Sequence, residues 1–125
     1  MKKNLLVIFI LFILANYSQL SSNSKNLYFE KDIVFNPKSE NGYLYLSKIF
    51  KEEENNNLEE NNLNTVLLLN PKNEEAIYLL ALLNIKNSNF SKAKELINTL
   101  DLVCKKICSS KIELQLKLDN SLKSE

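Results

Sequence analysis

The stretch Asn36-Pro37-Lys38-Ser39-Glu40-Asn41-Gly42-Tyr43-Leu44-Tyr45-Leu46-Ser47 is echoed thirty-four residues later by Asn70-Pro71-Lys72-Asn73-Glu74-Glu75-Ala76-Ile77-Tyr78-Leu79-Leu80-Ala81. A fixed period of this length marks a helix–turn–helix solenoid. One unit of such a solenoid cannot bury its apolar face alone and must stack on the next. Working outward, Ser39 caps a helix running to about Glu52, with Tyr43, Leu46, Ile49 and Phe50 on one face. Glu52 to Asn57 is a solvated turn. Leu58 to Leu69 is the next helix, with Leu58, Leu63, Val66 and Leu67 as its buried set, and Pro71 cannot continue it. Asn73 caps a third helix whose first turn holds Glu74 and Glu75, favourably placed against the backbone dipole. That helix ends near Asn87-Ser88-Asn89.

Phe90 to Val103 is its partner, burying Phe90, Ala93, Leu96, Ile97 and Leu100. The chain turns at Lys105 to Ser110 and ends in a helix from Lys111 to Leu122, carrying Ile112, Leu114, Leu116 and Leu118. Short connections between these segments make neighbours antiparallel. The expected fold is all-α, with helix pairs stacked as a short solenoid and closed by a C-terminal capping helix. Composition agrees. One Gly and two Pro in 125 residues are too few for the turns of sandwiches and barrels, and Leu, Lys and Glu favour helix.

Before the repeats lie two further segments. Met1-Lys2-Lys3 is followed by unbroken apolar sequence from Leu5 to Ala15. That core is too short to span a bilayer with ease, and it reads as a secretory signal or an uncleaved N-terminal membrane anchor over residues 1–20. Either places the rest of the chain outside the cytoplasm, in the periplasm or tethered to the inner membrane facing it. Residues 21–36 form a polar linker followed by a short first element. Within it, Leu27 to Phe35 fits either a short helix, the trailing half of a first unit, or a strand. The two helical pairs occupy 37–103, and 104–125 form the capping helix and polar tail.

Several chemistries are excluded or weakened. The chain has no His, which removes the usual general base and the commonest metal ligand. A single Gly cannot build a phosphate-binding loop. A net charge of +1 is too balanced to imply nucleic acid as a main partner. The acidic residues fall on predicted outer faces and turns, the usual place of solvated charge. No metal, cofactor or catalytic residue is expected. Cys104 and Cys108 are the one reactive pair. Their spacing differs from the two-residue spacing of redox motifs, and without His they make an incomplete zinc site. In an exported chain they are a candidate disulfide pinning the last helix to the Phe90 to Val103 helix. Free buried thiols and a redox or metal-handling role are the alternatives.

The residues resemble the tetratricopeptide repeat family over about positions 37–103. Leu80-Ala81 stands where that motif has a large residue followed by a small one. Phe90 takes the aromatic that opens the second helix, and Ala93 takes its small packing residue. Pro71 is the terminal proline of the preceding copy. In the earlier copy Tyr43, Leu46, Ser47 and Pro71 fit, whereas Asn56 and Glu59 occupy the slots of Phe90 and Ala93, with Leu58 standing in for the aromatic. A third copy fails at Gln115, so the last helix reads as a cap.

The resemblance implies a non-catalytic adaptor or scaffold of a bacterial cell envelope, accessory to a secretion, pilus or DNA-uptake assembly. Its partner would be another protein or peptide. The concave groove implied by the family comprises Leu44, Tyr45, Lys48, Tyr78, Leu79, Leu82 and Ile85. Self-association into a homo-oligomer would use the same strip. The competing expectation is that the terminal helix, or Leu27 to Phe35, covers the strip as plain core. A periplasmic chaperone-like binder of extended peptides and a thiol-redox or metal-handling protein are the other two functional readings.

Overall fold

The computed structural model describes residues 7, 8, 10, 27, 28, 30–34 and 36–124. Five helices follow residue 36: α1 (Glu40–Glu52), α2 (Asn56–Leu69), α3 (Glu74–Lys86), α4 (Phe90–Val103) and α5 (Ser110–Lys123). The fold is all-α, with no strand among the described residues. α1 packs on α2 and α3 on α4 as the two tightest pairs. α2 then packs on α3, and α5 lies against both α3 and α4. The result is two stacked antiparallel pairs closed by a terminal helix.

The thirty-four-residue period is a property of the backbone as well as of the letters. α1 and α3 are each 13 residues long, and α2 and α4 are each 14. Their starts differ by one period. Ser39 Oγ accepts from the Gly42 N–H, and Asn73 Oδ1 accepts from the Ala76 N–H. At the opposite end of the rods, Glu54 and Ser88 sit one period apart in the left-handed region, with φ of 57° and 56°. Both turns therefore bend the chain through the same backbone conformation, although neither uses glycine.

Small residues recur where helices approach. Gly42 and Ala76 are period equivalents, and both are buried. A Cβ at Gly42 would stand 3.1 Å from Ile33 Cγ1. The described residues of 27–34 are helical, so the helix is the form adopted there, and its last turn packs on α1 at Gly42. Asp32 accepts a 2.7 Å hydrogen bond from the Ser39 hydroxyl, tying this element to the α1 cap. Of the expected leader, residues 7, 8 and 10 are described and are helical; the remainder of 1–20 and the linker at 21–26 lie outside the described residues. Among the described residues no helix is long and apolar enough to cross a membrane.

One core runs through all five helices, from Leu44 of α1 through Leu63 and Val66 of α2, Ile77 and Leu80 of α3 and Ile97 and Leu100 of α4 to Leu114 and Leu118 of α5. Three expectations change here. α2 starts at Asn56, because the Asn55 side chain caps it by accepting from the Leu58 N–H. Leu58 is consequently exposed and does not replace the missing aromatic. In α5, Leu114 and Leu118 are buried whereas Ile112 and Leu116 face solvent, since α3 and α4 cover only one stripe of that helix.

Candidate functional site

The opening glutamate of each pair ties down the turn that closes the same pair. Glu40, at the start of α1, accepts from the side-chain amides of Asn70 and Asn73, the former at 3.0 Å. Glu74, one period later, accepts from three consecutive backbone N–H groups, those of Lys105, Lys106 and Ile107, at 2.9, 3.0 and 3.0 Å. Three successive amides aimed at one carboxylate form an anion cradle. These bonds, led by those from Ile107 and Lys106, hold the Glu74 carboxyl below its ordinary range. The cradle is closed covalently: Cys104 and Cys108 flank it and are joined by a disulfide, with Cα atoms 5.2 Å apart. Where the first pair ends in Asn70-Pro71-Lys72-Asn73, the second ends in a cross-linked loop.

That loop forms one wall of a cleft of ≈ 640 Å³, whose other walls are the N-terminal halves of α1 and α3. Leu44, Tyr78 and Ile107 give it an apolar floor, and Asn41, Asn73 and Ser110 bring polar groups to the rim. Lys48 of α1 pairs with Glu75 of α3 at 2.6 Å across the same inner face. The Tyr78 hydroxyl donates to Glu113 of α5 at 3.3 Å. Burial, followed by the neighbouring Glu113 charge, pushes the Tyr78 phenol up from its ordinary range.

The predicted strip is thus divided. Leu44 and Tyr78 meet in the large cleft. Leu82 lines a second cleft of ≈ 290 Å³ at the far end, with Lys51, Glu54, Glu59, Leu83 and Lys86. Leu79 and Ile85 are buried in the core, while Tyr45 and Lys48 are half-buried on α1. The terminal helix covers part of the strip, through Leu114, Leu118 and the bond from Tyr78 to Glu113.

Sequence reading missed Asn41, Asn73, Glu74, Glu75, Lys106, Ile107 and Ser110 as cleft residues. The signal was present for Glu74, because Glu40 and Glu74 share a register position in the repeat. Glu59 also departs from expectation. It is 3% exposed rather than solvated, because it fills the inward slot that Ala93 fills in the second pair. Burial pushes its carboxyl up, with the nearby Lys51 and Lys86 charges pulling the other way.

No protein-family model matches this chain, and no curated protein matches it. Among the described residues no group of three or more His, Cys, Asp or Glu converges to hold a metal ion. What the arrangement offers is shape and hydrogen bonding: an open, mostly apolar cleft with amide and hydroxyl groups at its edge and a disulfide-bound loop as one wall.

Proposed function

We propose that this chain is a non-catalytic interaction module of tetratricopeptide-repeat type, exported and acting at a bacterial cell envelope, which holds a peptide or helix of a partner protein in its inner-face cleft. The observation that carries this reading is the ≈ 640 Å³ cleft between α1, α3 and the 104–110 loop. Its volume suits several side chains of a partner segment, and its rim can fix the partner's backbone. The groove is short because only two helical pairs build it. Affinity would therefore be raised by a tether or by a second copy.

The test compares capture of envelope proteins by the full chain and by two variants. Asn41→Arg fills the cleft from an exposed position, and Tyr78→Asp charges its floor. Selective loss of one captured protein with unchanged far-ultraviolet circular dichroism supports the reading. Capture that is identical for wild type and Asn41→Arg sinks it. If Tyr78→Asp unfolds the chain, that residue belongs to the core, and Asn41→Arg alone decides.

A second reading, a thiol-redox protein, is favoured by the position of the disulfide in an exposed loop, with Cys108 on the surface. Thiol titration separates the two. A disulfide that resists a mild dithiol removes the redox reading, and one that cycles readily promotes it.

A further inference from the structure

Val34, Leu68 and Leu102 are one period apart and are the three most exposed large hydrophobic residues described, at 77%, 83% and 86%. Each lies at the end of the helix that precedes a closing turn. Four residues beyond each, in that turn, stands an exposed lysine: Lys38, Lys72 and Lys106. In a stack of repeats, residues one period apart occupy the same place on successive units and form a row across the stack. This edge of the solenoid thus carries a row of apolar side chains beside a row of ammonium groups, joined by Lys105.

The acids at the same edge are already engaged. Glu40 and Glu74 are tied to the turns, Glu75 pairs with Lys48, and Asp101 pairs with Lys111. The side chains of Lys38, Lys72 and Lys105 have no ion pair among the described residues, and Lys106 stands near Glu74. The opposite end of the rods carries both signs, with Glu52, Glu53, Glu54 and Glu60 beside Lys51, Lys86 and Lys92.

We propose that this edge docks on an anionic lipid bilayer, with Val34, Leu68 and Leu102 entering the headgroup region and the lysines meeting lipid phosphates. A basic rim around protruding apolar side chains is the pattern of interfacial binding. The end of the rods that carries Asn57 then points away from the surface, which fixes the orientation of the module. The edge adjoins the inner-face cleft, whose wall Lys106 also lines.

The chain contains no Trp, so a single introduced Trp reports its own surroundings. Full-length Leu68→Trp and Leu102→Trp are each mixed with phosphatidylglycerol–phosphatidylcholine vesicles and with phosphatidylcholine vesicles. Both substitutions fall at highly exposed sites and leave the core intact. On anionic vesicles the emission moves to shorter wavelength and is quenched by brominated acyl chains. Asn57→Trp, at the far end of the rods, does not respond. Adding Lys38→Glu and Lys72→Glu weakens the response roughly tenfold or more. No shift, an equal shift on neutral vesicles, or an equal response at Asn57 overturns the proposal. A shift that follows protein concentration without vesicles identifies a second copy as the occupant, and it overturns the proposal as well.

Discussion

Glu59 and Glu74 are carboxylates that respond to pH in opposite directions, and each direction can be measured. Glu59 sits where Ala93 packs one period later, and burial raises its folded pKa above the ordinary 4.5. The fold then binds more protons than the unfolded chain as pH rises past that value, so Glu59 costs stability at neutral pH and nothing in acid. Glu59→Gln is expected to raise the urea midpoint at about pH 7 and to leave it unchanged at about pH 3. A lower midpoint at neutral pH would show that Lys51 and Lys86 outweigh burial. For Glu74 the shift is downward, caused first by the backbone N–H groups of Ile107 and Lys106. Its stabilisation is complete above the ordinary carboxylate range and is lost as pH falls through the lowered folded value. Glu74→Gln removes the charge and sets an amide against three donors. The difference between wild type and variant should therefore shrink steadily as pH drops below 4.5. A difference independent of pH would mean that the carboxylate form is not what the cradle binds.

At the scale of elements, α5 is held by three kinds of contact: Leu114 and Leu118 in the core, the Lys111–Asp101 pair at 2.7 Å, and the disulfide loop before it. The loop is short, so cross-linking it removes limited freedom from the unfolded chain. The chain-entropy relation gives about 2 kcal/mol for a ring of this size. Reduction, or the Cys104→Ser/Cys108→Ser double variant, should lower the unfolding free energy by about that amount. It should also speed amide exchange at Lys105, Lys106 and Ile107, whose N–H groups would no longer be held on Glu74. Unchanged exchange would show that the Glu74 bonds form without the cross-link. Leu114 is fully buried between α5 and its neighbours, and Leu114→Ala should cost about 2–5 kcal/mol by leaving a cavity.

For the whole molecule, continuity of the core decides cooperativity. Leu44, Leu63, Leu80, Leu100 and Leu118 belong to one cluster that crosses every interface between α1 and α5. Both ends of the rods are laced as well. Glu40 joins the 70–73 turn at one end, and at the other Asn56 accepts from Lys86 at 2.9 Å and donates to Asn87 at 3.0 Å. Units coupled so closely should unfold together rather than one by one. Circular dichroism and tyrosine fluorescence should follow a single urea transition with coincident midpoints. Two resolved transitions would show that the α1–α2 pair and the rest are separate cooperative units.

Sequence alone determined the rods and their repeat. Asn and Ser caps, proline stops and apolar spacing act within a few residues, so Ser39 to Glu52 and Phe90 to Val103 were legible as written. Two local ambiguities were not. The polar run before Leu58 had no periodicity to show that Asn55 would cap α2. The alternating apolar residues of α5 fitted two stripes equally well, and only the approach of α3 and α4 selected Leu114 and Leu118. The site was less legible still. Leu44 and Tyr78 line the large cleft, whereas Leu79 and Ile85 went into the core, and Glu74 was caught by amides more than thirty residues away. Capping and periodicity are short-range and survive in a linear reading. Which face is covered, and which carboxylate meets which amide, depends on helices brought together from distant parts of the chain, and packing alone decides that.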